Sequence, residues 1–242
     1  MIPRQVICDV MDDCRLSDED RRRALIASQR IHRFSGVARV VYRYIDRHAA
    51  IHSGPLRILV VPCPDIEIPL SWARRSRKSG TLIEYVLVNV DPHDAVRSKI
   101  DLAIAQGDAI ECIDLDCSRG SIPAGFDLIV SMYCMHRLRE DQIFRQLQSM
   151  ITSTGGPLLV CDYARSTTNV WLAKIASGVL SRNPTVRQSA ANHILTAYSI
   201  DEFQRVAEEA LARPVKVEPL FPCHFIMACE EKAIPEAVPA FA

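Results

Sequence analysis

Between residues 57 and 229, short apolar runs alternate with stretches whose apolar residues recur at helical spacing. Such alternation points to a parallel sheet, because parallel neighbours need long crossover connections that are usually helical. The expected strands are Arg57–Val61, Leu82–Val90, Ala109–Leu115, Phe126–Met132 and Leu158–Cys161. The first of these is nearly continuous in Ile, Leu and Val, the pattern of a strand covered on both faces. Helices are expected at Ile68–Lys78, Ala95–Ala105 and Glu140–Ile151, the last punctuated by Gly155-Gly156. Another helix opens at Ser199 and runs to about Leu211. Two strands, Val215–Pro219 and Cys223–Cys229, close the pattern.

Helices also precede the sheet. Ser17, with Asp20 three positions on, starts one that carries Leu25, Ile26, Ile31 and Phe34. Ser35-Gly36 breaks it, and a second places Val37, Val40, Val41, Tyr44 and Ile45 on one side. The expected organisation is an N-terminal helical extension or lid over residues 1–54 and an α/β domain over 55–232. Within that domain, 163–198 reads as a helical insertion or lid: one helix around Val170–Leu180, then a polar, irregular stretch from Ser181 to His193. The Ala/Pro-rich tail, 233–242, is expected to be disordered.

The 242 residues carry 29 basic and 29 acidic side chains, so no overall field favours nucleic acid. Short basic runs such as Arg21-Arg22-Arg23 read as solvated helix faces. No segment approaches the ~20 apolar residues that span a bilayer, and no leader is visible, so no membrane partner is expected. Nine cysteines contain no C-x-x-C pair. Cys63, Cys134 and Cys161 lie in apolar surroundings, where free cysteine acts as a small hydrophobe. A reducing cytoplasmic compartment and no metal site are the expectations.

Several segments then resemble one family in order and spacing. Ile58-Leu59-Val60-Val61 with its turn and following helix resembles the first motif of class I S-adenosylmethionine (SAM)-dependent methyltransferases. Asp91, followed by Pro92, stands where that family places an acidic residue after its second strand, and Leu115-Asp116-Cys117 resembles the segment after the third. Phe126-Asp127-Leu128-Ile129-Val130 running into Ser131-Met132-Tyr133-Cys134-Met135-His136 is similar to the family's fourth-strand motif. Met11-Asp12-Asp13, Arg30-Ile31-His32-Arg33, Cys161-Asp162-Tyr163-Ala164-Arg165-Ser166 and Phe221-Pro222-Cys223-His224-Phe225 resemble a bacterial subgroup. The resemblance covers about residues 11 to 230. It implies a Rossmann-like α/β fold with a mainly parallel seven-stranded sheet, and SAM as cofactor.

The first turn departs from the family pattern. Where relatives carry an acidic residue and three glycines, this chain has Val60, Pro62, Pro64 and Ile66, and no glycine lies between Gly54 and Gly80. Prolines remove backbone donors, and Ile66 puts a branched side chain where glycine leaves room. One outcome is a turn that keeps its shape, with Asp65 capping the helix and Glu67 restoring negative charge. The other is a partly filled pocket on a degenerate, regulatory relative.

The resemblance implies cofactor contacts from Val61, Cys63, Asp65, Asp91, Pro92, Asp116, Cys117 and Ser131, with Asp114 the alternative to Asp116. A carboxylate after the second strand suits a ribose diol, although Asp before Pro92 also suits a turn. His136 and Asp162 are the catalytic candidates at the carboxyl end of the sheet. His136 suits a general base, or a ligand for a helix-end carbonyl. Arg165 suits either an anionic substrate group or a structural ion pair. Arg187, Gln188-Ser189 and Thr196 depart from relatives, which loosens any carry-over of substrate. The expected activity is methyl transfer to a small-molecule acceptor, with a homodimer as the assembly to test. The alternative is a catalytically degenerate protein with a binding role. An NAD-linked oxidoreductase would share the fold but also needs a glycine-rich turn.

Overall fold

The structure is a computed structural model that describes residues 2–5, 32–61, 65–88, 94–115, 122–154, 157–180 and 184–229, with isolated positions between 17 and 30. In chain order the elements are α1 (Val37–Ile51), β1 (Leu56–Val61), α2 (Glu67–Ser79), β2 (Ile83–Val88), α3 (Asp94–Ala105), β3 (Ile110–Ile113) and β4 (Leu128–Met132). A 3-10 turn, Met135–Arg137, leads to α4 (Glu140–Thr154), β5 (Leu158–Tyr163), α5 (Thr167–Leu180), α6 (Pro184–Thr196), α7 (Ile200–Leu211), β6 (Val217–Leu220) and β7 (His224–Cys229).

The seven strands form one sheet in the order β3-β2-β1-β4-β5-β7-β6. Strands β1 to β5 pair in parallel, and β7 runs antiparallel to both β5 and β6. The order reverses between β1 and β4, so their carboxyl ends flank the crevice where open α/β sheets bind ligands.

Apolar side chains divide between the two faces of the sheet. Leu59 and Val61 of β1 point into a cluster with Ile143, Leu147, Phe203 and Val206 of α4 and α7. Leu56, Ile58 and Val60 point into a second cluster with Val37, Val41, Ile45 and Trp72 of α1 and α2. The indole N–H of Trp72 donates to the Ala38 carbonyl at 2.8 Å, tying α1 to α2. Asp127 of the fourth-strand motif works at the far end of the sheet from the crevice. Its Oδ2 accepts from the Arg57 N–H at 2.8 Å, and its own N–H donates to the Arg57 carbonyl at 2.9 Å.

Among the described residues the expected elements are present within a few residues of their limits, with one difference. The stretch read as irregular from Ser181 contains the helix α6, Pro184–Thr196. Its buried positions, Val186, Ser189, Ala191, Ile194 and Thr196, are small or polar as often as apolar, so the stretch shows little hydrophobic periodicity. The helix is held instead by packing against α5 and the sheet end. The tail 233–242 lies outside the described residues, as does most of the first expected helix.

Candidate active site

Local geometry at the ends of β4 and β5 turns side chains toward each other. Tyr133, directly after β4, has φ 57°, a left-handed conformation that costs a bulky residue about 1–3 kcal/mol. Its N–H donates to the Cys161 carbonyl at 3.1 Å, which holds the bend against β5. The 3-10 turn that follows carries His136 back over the end of β5.

His136 and Asp162 meet there. The His136 N–H donates to Asp162 Oδ2 at 3.0 Å, and His136 Nδ1 lies 2.8 Å from Asp162 Oδ1. The Tyr163 N–H adds a third bond to the carboxylate at 2.7 Å. Asp162 is fully buried, which pushes its carboxyl up, but the His136 imidazole and these donors outweigh burial and hold it below its ordinary value. An ionised Asp162 only accepts, so His136 Nδ1 carries the proton and Nε2 presents a lone pair. That lone pair lies 3.1 Å from His193 Nδ1, and His193 Nε2 lies 3.1 Å from Ser189 Oγ. One proton arrangement satisfies all three bonds with neutral imidazoles: Ser189 donates to His193, His193 to His136, and His136 to Asp162.

Aromatic rings surround this chain. Tyr163 stacks on His193 with centroids 5.3 Å apart, and its ring meets His136 edge-on at 5.1 Å and His224 at 4.9 Å. His32 stacks on Tyr133 at 4.5 Å, donates from Nδ1 to Asp65 Oδ2 at 2.9 Å, and accepts at Nε2 from the Tyr163 hydroxyl at 2.9 Å. Four histidines thus converge, yet among the described residues no three His, Cys, Asp or Glu groups are arranged to hold a metal ion.

The other expected site residues fall as follows. Asp65 caps α2: its Oδ1 accepts from the Glu67 N–H at 3.1 Å. Glu67 pairs with Lys99 at the surface. Ile66 is buried in the α1–α2 cluster. Val61 is fully buried, and Ser131, also fully buried, bonds the Cys134 thiol at 3.1 Å. Cys63, Asp91, Pro92, Asp116 and Cys117 lie outside the described residues. Arg165 forms a structural ion pair: it is buried, its guanidinium bonds Glu202 at 2.6 Å and the Ala197 carbonyl at 2.9 Å, and it also donates to the Ile2 carbonyl. Sequence reasoning missed His193, Ser189, Tyr133 and Tyr163 as a set. His32 and His224 did stand in segments that carry the family resemblance, but nothing in their spacing joins them.

No family model and no curated protein matches the sequence. Among solved structures the chain is similar to a putative O-methyltransferase from Nostoc punctiforme, with TM-score 0.56 and 13% identity over 81% of this chain and 56% of that one. It is similar to the plantazolicin methyltransferase BamL in complex with a triazolic desmethylPZN analog and S-adenosylhomocysteine (SAH), with TM-score 0.58 and 11% identity over 79% of this chain and 70% of that one. A third match, the SAM-dependent methyltransferase SibL, gives TM-score 0.53 and 15% identity over 73% of this chain and 50% of that one. The chain therefore spans about half the length of some of the structures it matches. Its fold is that of the class I SAM-dependent methyltransferases.

Proposed function

We propose that the protein is a SAM-dependent methyltransferase acting on a small-molecule acceptor. The observation that carries this reading is the chain Asp162–His136–His193–Ser189, at the carboxyl ends of β4 and β5, where the fold brings a methyl donor and acceptor together. The names of the structural neighbours support the same reaction class.

SAM, when bound, supplies a methyl group on a positively charged sulfur. Asp65, a buried carboxylate at the carboxyl end of β1, suits the cationic amino-acid end of that molecule. Asp91 and Asp116 are assigned to the nucleoside by their sequence positions alone. The acceptor's nucleophilic group takes the place of the Ser189 hydroxyl and gives its proton to His193 Nε2. The Nδ1 proton of His193 passes to His136 Nε2, and the resulting imidazolium rests against Asp162. Deprotonation by His193 would leave the acceptor with the electron pair that methyl transfer from SAM requires. His193 is thus the base, His136 relays the proton, and Asp162 is a positioning residue.

Titration calorimetry with SAH tests the cofactor assignment. Micromolar binding that is lost in Asp91→Ala is the expected result. A second reading, a non-catalytic relative, draws on the burial of Ile66 at a glycine position. Absence of SAH binding at millimolar concentration would establish that second reading and end the first.

A further inference from the structure

The side chains facing the aromatic cluster restrict what can bind there. Two arginines lie nearby, Arg165 buried and Arg4 half-buried, and both are spent on the protein. Arg165 is bound to Glu202 and to backbone carbonyls. Arg4 donates to the carbonyls of Thr196, His136 and Leu138 at 2.7, 3.1 and 2.9 Å, and lies over the Tyr198 ring. The charges at the cluster are the Asp162 and Asp65 carboxylates, so an anionic guest would meet repulsion, and no cation among the described residues is left to offset it.

Two polar atoms in the cluster have no partner among the described residues, the Tyr133 hydroxyl and His224 Nε2. Both side chains are more than nine-tenths buried, and their rings lie 5.5 Å apart. His224 Nδ1 donates to the Pro222 carbonyl, so Nε2 is a bare acceptor. Burial lowers His224 to about 4, which keeps it neutral near pH 7. Burial also raises Tyr133, which stays a phenol and a donor. Buried polar atoms left unpaired are costly, and a bound molecule with matching groups recovers that cost.

The face of Tyr133 shows the shape of such a molecule. The His32 imidazole lies on it with the two planes only 7° apart, and both its nitrogens are hydrogen-bonded. We infer that His32 holds the place of the acceptor, and that the site takes a planar, non-anionic ring compound bearing an N–H or O–H donor, stacked on Tyr133 and donating to His224 Nε2. This rests on the methyltransferase reading for the word acceptor, but not for the binding itself. Entry requires His32, on the segment before α1, to leave the stack.

Calorimetry with 2-quinolone, a neutral ring with an N–H donor, and 2-naphthoate, an anion of similar size, tests it on the full chain. His32→Ala should bind 2-quinolone about tenfold tighter than the wild type, because no internal ring competes. His32→Phe, which keeps a stacked ring, should stay near the wild type. Adding His224→Phe to His32→Ala should cost about tenfold for 2-quinolone and little for 2-naphthoate. Thermal melts of each variant establish that it is folded. Tighter binding of 2-naphthoate, equal affinities in wild type and His32→Ala, or no binding of either probe at millimolar concentration would each overturn the inference. SAH titrated separately keeps the two readings apart. SAH binding without quinolone selectivity removes only the ligand class, and selectivity without SAH binding removes only methyl transfer.

Discussion

Asp162 holds His136 by two of its atoms, the ring Nδ1 at 2.8 Å and the backbone N–H at 3.0 Å. This fixes both the ring's orientation and its tautomer, leaving Nε2 free to receive a proton from His193. Asp162→Asn replaces one accepting oxygen by an NH2 group and cannot serve both donors in the same way. A fall in kcat of about a hundredfold or more is expected, with SAH affinity unchanged. His193→Ala should fall by a similar factor, and Ser189→Ala by less than about threefold. Comparable losses in SAH affinity would show that the pair serves binding rather than proton transfer.

Arg165 is a stability residue. Its guanidinium is buried, while the Glu202 side chain that it pairs with is 37% exposed. Burial pushes the Glu202 carboxyl up, but the Arg165 guanidinium and the Ser199 N–H outweigh this and hold it below its usual value. Arg165→Met should lose about 2–4 kcal/mol in urea denaturation, since two backbone carbonyls also lose their donor. Glu202→Gln should lose less, because water reaches that end. An Arg165→Met protein as stable as the wild type would return the arginine to the list of ligand contacts.

His224 should make the protein acid-sensitive. Its folded value of about 4 lies below the ordinary 6.5, so the unfolded chain binds more protons between those values. Stability therefore falls as pH drops from about 6.5 toward 4, by up to roughly 3 kcal/mol. The cause is burial first, with the nearby His32 and His136 adding to it and Asp162 opposing it. Asp162, lowered from 3.8, contributes its own loss only below that pH. Denaturation midpoints of His224→Phe should be flatter over the 6.5 to 4 window. An unchanged slope would mean that the imidazole is hydrated in solution.

Tyr133→Phe removes a buried hydroxyl that has no partner among the described residues. The ring stack on His32 and the backbone bend remain. The variant should be as stable as the wild type, or more stable by about 1 kcal/mol. A loss above that amount in thermal melts would show that the hydroxyl is already satisfied.

Much of the architecture is written in local pattern. Continuous apolar runs such as Ile58–Val61 and Leu128–Val130 specify strands buried on both faces, because alternation would leave one face wet. Ser199 and Glu202 form a complete capping box, a signal that needs no tertiary contact to act. The cap by Asp65 is equally local, since it joins residues two apart.

Helix α6 and the site were decided elsewhere. The α6 sequence has no strong face of its own, and its helix depends on neighbours that arrive from distant parts of the chain. Asp162 and His136 are 26 residues apart, His136 and His193 are 57, and His32 and Tyr163 are 131. Only the order β1-β4-β5-β7 brings these ends side by side. Apart from α6, the sequence by itself determined which of the described segments are strands and helices, because periodicity and capping act over a few residues. Which histidine faces which carboxylate, and whether an arginine is free or spent, depended on sheet order and burial, which no short-range pattern encodes.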